Sequence, residues 1–178
     1  MSIIKEENIR KESLQEVARM MMLAARTAPK GRGIDTLNIL MVQGDDIIPI
    51  AERMKEIGKM QGSEFFIRDA ENILTAGIMV LIGTRISTTG LNYCGLCGFE
   101  NCADKNKKLE TPCVYNLLNL GIAIGSAVSV AADHRVDNRI MYSAGLAAVE
   151  LGIMGEDVKV CMAIPLSCSS KSPFFDRK

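Results

Sequence analysis

The chain has 178 residues, a length that suits one domain with its own core. Hydrophobic residues make up 48% and mean hydropathy is +0.14, values that exclude a disordered chain. The 21 basic and 21 acidic residues cancel, leaving no cationic excess to grip phosphate, so no nucleic-acid partner is expected.

Aromatic residues are only 4%, with no tryptophan, and eleven methionines serve as adaptable core filler instead. The N-terminus is charged (Lys5, Glu6, Glu7, Arg10, Lys11) and lacks the apolar stretch of a secretory leader, so a cytoplasmic protein is expected. A first helix is expected from about Ser13, where Ser13-x-x-Glu16 forms a capping box. Leu14, Val17, Ala18, Met21 and Ala25 then share one face, while the residues before Ser13 read as a frayed or separate piece. Thr27-Ala28-Pro29 ends this helix, because the residue before a proline is pushed out of the α region. Lys30-Gly31-Arg32-Gly33 follows as a basic loop.

Residues 36–42 read as a strand, and Asp45 or Asp46 caps the next helix, with Pro49 in its first turn and Gly62 at its end. Another helix enters at Ser63. Residues 77–83 are a continuous apolar run bounded by glycines, the pattern of a central strand buried on both faces. Residues 114–132 are long and apolar enough to suggest a membrane span. Asn116, Asn119, Ser126 and Ser129 inside the run favour a buried core helix instead. Small residues at Gly121, Gly125, Ser129 and Ala132 predict a tight helix crossing, at a subunit interface or within the core. A strand over 138–143, a short helix over 146–151 closed by Gly152, and a last strand over 158–165 complete the order.

Between the apolar strand and the long helix lies Y-C-G-L-C-G-F-E-N-C-A-D-K-N-K-K-L-E-T-P-C, which holds Cys94, Cys97, Cys102 and Cys113. Thiols this close, with Gly95 and Gly98 free to take positive φ, can point at one centre. Four thiolates suit a [4Fe–4S] cluster or a tetrahedral zinc. Zinc ribbons usually show two separated C-x2-C pairs, whereas ten residues lie between Cys102 and Cys113. Unligated cysteines are the third reading, and a zinc-stabilised interaction module without redox activity is the alternative to an electron-transfer protein. A disulfide framework does not suit a chain of this length without a secretory leader. Cys161, inside a strand, reads as a small buried hydrophobe; Cys168, in a serine-rich tail, is a possible substitute for Cys113 as fourth ligand. No G-x-G-x-x-G, P-loop or G-x-S-x-G appears, so hydrolase and nucleoside-triphosphatase chemistry has no footing.

The C-G-x-C-G-x3-C run over 94–102 is similar to the four-cysteine iron–sulfur module of corrinoid iron–sulfur proteins and of several anaerobic electron-transfer chains. The whole chain resembles a family of uncharacterised prokaryotic proteins described as containing a ferredoxin domain. The resemblance implies a [4Fe–4S] cluster on Cys94, Cys97, Cys102 and Cys113, electron transfer, and an unknown redox partner.

A second resemblance covers most of the remainder. Ala24-Ala25-Arg26-Thr27-Ala28-Pro29 looks like the A-A-x-x-A-P-S loop of FMN-dependent nitroreductases, and 145–152 with the strand over 158–165 looks like their short helix and closing strand. It implies one α+β domain over 1–178: a three-layer α/β/α arrangement around a mostly antiparallel sheet, with residues 85–113 as a cysteine-rich insert. It further implies a homodimer with flavin at the subunit boundary. Arg10-Lys11-Glu12-Ser13 departs from the R-x-S-x-R flavin-phosphate grip of that family. If FMN binds, Arg26, Lys30 and Arg32, with Lys171 from the tail, are its expected phosphate contacts. A solvated basic loop is the other reading of these cations.

Overall fold

A computed structural model describes residues 3–108 and 110–175. The first helix, α1 (Glu6–Thr27), carries Leu14, Val17, Ala18, Met21 and Ala25 on its buried face and ends before Pro29. Strand β1 (Leu37–Gln43) leads through a 3-10 turn, Gly44–Ile47, into α2 (Ile48–Gln61). Gly62 closes α2 at φ 61, a left-handed conformation that glycine takes without steric cost. Helix α3 (Glu64–Leu74) and strand β2 (Ile78–Arg85) follow. The next stretch contains one short helix, α4 (Cys102–Asn106), before the long helix α5 (Val114–Asp133). A two-residue strand β3 (Asp137–Asn138), helix α6 (Tyr142–Glu150) and strand β4 (Val158–Ser167) complete the chain.

The four strands form one antiparallel sheet in the order β1-β2-β4-β3. Side chains alternate across a strand, so β2 feeds two cores at once. Ile78, Val80 and Ile82 join Ile164 and Leu166 under α1 and α5. Met79 and Leu81 join Ala163 and Cys161 beneath α2, α3 and α6. Helices on both faces make the three layers that the sequence predicts. Burial on both sides explains why β2 reads as an unbroken apolar run. Burial also pushes the Cys161 thiol up to about 12, which keeps it protonated and inert, as expected of a small core residue.

Several expected boundaries move. Helix α1 begins at Glu6 rather than Ser13: Lys5 is its N-cap, and Ser13 lies exposed within the helix. Glu6 and Arg10 pair one turn apart along the added stretch. Neither Asp45 nor Asp46 caps α2, because the 3-10 turn intervenes and Ile47 takes the N-cap position. The strand expected over 138–143 shrinks to Asp137–Asn138 plus one bridge, Met141 to Ala163, and α6 starts at Tyr142.

The small-residue stripe of α5 makes no crossing within the chain. Gly121, Gly125, Ser129 and Ala132 face outward, and nothing approaches the two glycines within 4 Å of where a Cβ would stand. The close crossing with α1 uses the neighbouring stripe instead, Ala123, Ala127 and Ala131, all fully buried, and Ser126 Oγ donates to the Ala24 carbonyl at 3.0 Å. Helix α5 is long and apolar enough to cross a bilayer, yet here it buries one face against α1 and β2.

Gly145 makes the tight approach that the stripe was expected to make. A Cβ there would meet the Cys161 carbonyl oxygen at 2.1 Å and its carbon at 2.6 Å, both backbone atoms that cannot swing aside. Gly145→Ala is expected to cost about 3 kcal/mol or more and lower Tm by roughly 6–12 °C in a melt followed by circular dichroism. Gly121→Ala, in open space on a helix, is expected to leave the chain as stable or up to about 1 kcal/mol more so.

Candidate metal centre at the head of the long helix

The cysteine-bearing segment leaves the sheet at the end of β2 and returns at the first turn of α5. Asn116 and Asn119, one helical turn apart, lie on the buried face of α5 at 1% and 3% exposure. A buried amide must find partners. The Asn116 Oδ1 accepts the Ser87 N–H at 3.0 Å, holding the outgoing chain, and the Asn119 Oδ1 accepts the Gly31 N–H at 2.9 Å, holding the loop after α1. Gly31 is needed for this approach, since a Cβ would lie 3.0 Å from the Tyr115 ring. Arg32, at φ 56, donates to the Thr89 and Gly90 carbonyls at 3.1 and 2.6 Å and ties the same loop to the segment.

Beyond Gly90 the chain forms a lobe. Gly95 and Gly98 take φ of 136 and 86, the positive values the motif anticipates, and the Gly98 N–H donates to the Gly95 carbonyl at 2.9 Å. The Asn101 side chain caps α4 by accepting the Asp104 N–H at 2.9 Å. Cys102 is the first residue of α4 and Cys113 is the N-cap of α5, while Cys94 and Cys97 stand on the glycine turns. Cys113 is buried; the other three are partly exposed.

Cys113 carries the clearest chemical signature. Burial pushes its thiol up, but the Thr89 N–H and hydroxyl and the N–H groups of Tyr115 and Asn116 outweigh that effect and hold it below the usual thiol range. The Thr89 Oγ1 lies 3.7 Å from the sulfur. A thiol at a helix N-terminus, ringed by donors, gives up its proton more readily than a free one, and the thiolate is the form that ligates metal. The lobe gathers the four cysteines into one segment but not into one coordination sphere. Among the described residues no group of three or more His, Cys, Asp or Glu side chains could hold a metal ion as placed. The donor set still fits a thiolate-bound centre: four thiols, one of them held below its usual range, stand in a segment with glycine turns, and such ligands settle as metal binds.

Cys168 is excluded as a fourth ligand. It follows β4, whose Leu166 pairs with Ile78 at the start of β2, whereas the lobe leaves from Arg85 at the other end. Eight residues of strand separate the two ends by about 25 Å.

Of the cations expected at a flavin phosphate, Arg26 lies in the last turn of α1 and Lys30 and Arg32 on the loop after it, and all three are already engaged. Arg26 donates to the Asp35 carboxylate at 2.6 Å and the Leu37 carbonyl at 3.1 Å. Burial pushes the Asp35 carboxyl up, yet that bond to Arg26 holds it below its ordinary range. Lys30 donates to the carbonyls of Ala25, Arg26 and Ala28 at 2.9, 2.7 and 2.7 Å, closing the end of α1. Arg32 holds Thr89 and Gly90. Lys171 lies beyond β4 at the far end of the sheet, four residues past Ser167. The exposed His134 ends α5 and stands with Cys168, away from the lobe. Sequence reasoning missed Thr89, Asn116 and Asn119 as supports of the site. Two amides one turn apart in an apolar helix were the signal, because both fall on the stripe that must be buried.

The architecture is that of the nitroreductase-like α+β fold. A nitroreductase with bound FMN from Bacteroides fragilis superposes with a TM-score of 0.62 at 12% identity, covering 92% of this chain and 81% of the other. One with bound FMN from Desulfitobacterium hafniense gives 0.59 at 15% identity, with 91% and 82% covered. A BluB-like flavoprotein from Clostridium difficile gives 0.53 at 19% identity, covering 91% and 85%. The chain is also 40% identical over 183 residues to an uncharacterized protein of Archaeoglobus fulgidus, covering 98% of this chain and 97% of that one. It belongs to the family described as "Uncharacterized protein containing a ferredoxin domain (DUF2148)", which matches residues 110–177.

Asn119→Ala is expected to leave the Gly31 N–H without its acceptor, costing about 1–3 kcal/mol. Hydrogen exchange should accelerate at Gly31, while the amides of β2 stay as protected as before.

Proposed function

We propose that this protein is an electron carrier whose lobe holds a [4Fe–4S] cluster on Cys94, Cys97, Cys102 and Cys113. The single observation that carries the reading is the Cys113 sulfur at the head of α5, met by Thr89 and the first-turn N–H groups, in the same short segment as three more cysteines. The ferredoxin-domain family supports a redox role, and the fold is shared with FMN-containing oxidoreductases. Bound there, a cluster supplies one-electron transfer between a one-electron donor and a one-electron acceptor, with no bond made or broken in the chain. The chain's own contribution is positional. Thr89 and the first turn of α5 hold the Cys113 sulfur, Asn116 fixes the chain leaving β2, and Gly95 and Gly98 let the C-x2-C turn fold around a centre. The carrier reading needs no flavin, since Arg26, Lys30 and Arg32 already serve protein carboxylate and carbonyl groups. The reducing cytoplasm is the compartment in which such thiols persist.

Anaerobic purification tests the reading. About four iron and four sulfide per chain are expected, with a broad visible band and no flavin peaks. Alanine at Cys94, Cys97, Cys102 or Cys113 should reduce the iron content severely, and alanine at Cys161 or Cys168 should leave it unchanged. Stoichiometric zinc without sulfide would replace this reading with a zinc-stabilised interaction module. Flavin absorbance would restore FMN as a second cofactor.

We also propose that the protein is a homodimer through the outer face of α5. Leu117, Leu118 and Ile122 are 41%, 50% and 48% exposed there, beside the open Gly121 and Gly125. Apolar surface of this kind on a long helix calls for cover, and small residues let a second backbone come close. Light scattering should give about twice the chain mass of 19.4 kDa. Leu118→Glu with Ile122→Glu should give the single chain; a wild-type monomer at micromolar concentration refutes the assignment.

A further inference from the structure

Among the described residues, two that are not glycine hold a positive φ: Arg32 at 56 and Arg135 at 58. A residue with a Cβ takes this conformation at a cost that glycine avoids. Arg32 puts its guanidinium to use on the Thr89 and Gly90 carbonyls. Arg135 stands just past α5, in the turn that closes the helix. There the Arg135 N–H donates to the Ala132 carbonyl at 3.1 Å and the Val136 N–H donates to the Ala131 carbonyl at 2.9 Å. A turn with these two bonds usually carries glycine at the Arg135 position. Yet among the described residues the Arg135 side chain makes no hydrogen bond and no ion pair. The strain at Arg32 comes with an anchored side chain, and the strain at Arg135 with an idle one.

Arg135 lines a cavity of about 320 Å³ between the first half of α1 and the end of α5. Leu14, Val17 and Val136, all buried, form its apolar floor. Glu6 and Arg10 on its wall pair with each other, so the Glu6 carboxylate does not answer Arg135. Burial pushes the thiol of Cys168, which also lines the cavity, up, so that group adds no charge. The last carbonyls of α5 are met by the backbone N–H groups of residues 134–136, which takes up the negative end of the helix within the turn. His134, beside Arg135 on the same wall, offers an imidazole N–H. What remains is an apolar hollow with one uncommitted guanidinium. A carboxylate is the group that a guanidinium grips through two parallel hydrogen bonds, and the floor suits an apolar body behind it. We propose that this cavity binds small carboxylic acids with an apolar body, and that Arg135 holds their carboxylate. The site lies at the end of the sheet opposite the cysteine lobe and does not depend on the cluster reading.

The test titrates the whole isotopically labelled chain with benzoate, hexanoate and octanoate, and follows the amide signals of residues 134–136 and 166–168. Saturable shifts there are expected for at least one acid. Benzyl alcohol lacks the carboxylate and inorganic phosphate lacks the apolar body, so each should bind about tenfold more weakly or worse. Arg135→Gly and Arg135→Asn place residues that tolerate a left-handed backbone in the turn. Both should leave Tm unchanged or raise it by up to roughly 4 °C, and both should weaken the acid about tenfold or more. Lys11→Met removes an exposed cation of α1 that does not line the cavity, and should stay within about threefold of wild type. No saturable shift with any of the three acids, or shifts confined to other residues, overturns the site. Equal binding of benzyl alcohol overturns the role of the carboxylate, and equal binding of phosphate overturns the role of the floor. Wild-type affinity in both Arg135 variants overturns the role of the arginine. None of these readouts involves iron or sulfide, so failure here is distinct from failure of the cluster.

Discussion

Two buried amides hold the lobe-bearing end of this molecule together. Asn116 and Asn119 interrupt the apolar face of α5 at its first turns, and each spends its carbonyl oxygen on a backbone N–H from a different part of the chain. One partner is the strand that has just left the sheet, and the other is the loop that follows α1. A carbonyl oxygen in an apolar layer is costly unless it is met, so the head of α5 cannot seat without drawing both segments in. The surroundings of Cys113 follow from that seating. Its sulfur lies at the helix N-terminus because the chain is pinned on either side, and Thr89 reaches it because Arg32 holds the carbonyls of residues 89 and 90.

Behind this end stands a sheet whose central strand is covered on both faces. Because β2 buries alternate side chains against two different helix layers, it offers little freedom to slip, and its last residue releases the lobe from a fixed point. The same geometry separates Cys113 from Cys168. Cys113 and Cys168 sit at opposite ends of the sheet, and the strand between them keeps their chemistries apart.

Much of this was legible in the sequence, for reasons that can be named. The run I-M-V-L-I over 78–82 announces a strand buried on both sides, Pro29 and Gly62 stop helices by backbone sterics, and Gly95 and Gly98 mark turns with positive φ. These are local rules, and they hold locally. What failed depended on neighbours distant in sequence. Residues 142–143 were expected as the end of a strand over 138–143 but belong to α6, where Met141 bridges to Ala163 and the bare backbone of Gly145 is laid against Cys161. Within the chain α1 packs on the alanine stripe of α5 and leaves the adjacent G-x-x-x-G stripe open, a choice that spacing alone does not decide. Ser13 and Glu16 have the form of a cap, but the helix continues through them to Glu6. The four cysteines were legible as a set. Arg135 was not, since an arginine after a helix carries no mark of being held at positive φ.

The lobe ends in Tyr93, 98% exposed, and Leu96, 66% exposed, on either side of Cys94. A redox centre gripped by sulfur atoms this near the outer boundary would need no internal relay, because tunnelling between two proteins that touch at the tip would span only the thickness of a side chain. The same thin wall would admit dioxygen as readily as a partner. A cluster held there as proposed would pair rapid exchange of electrons with a short lifetime in air.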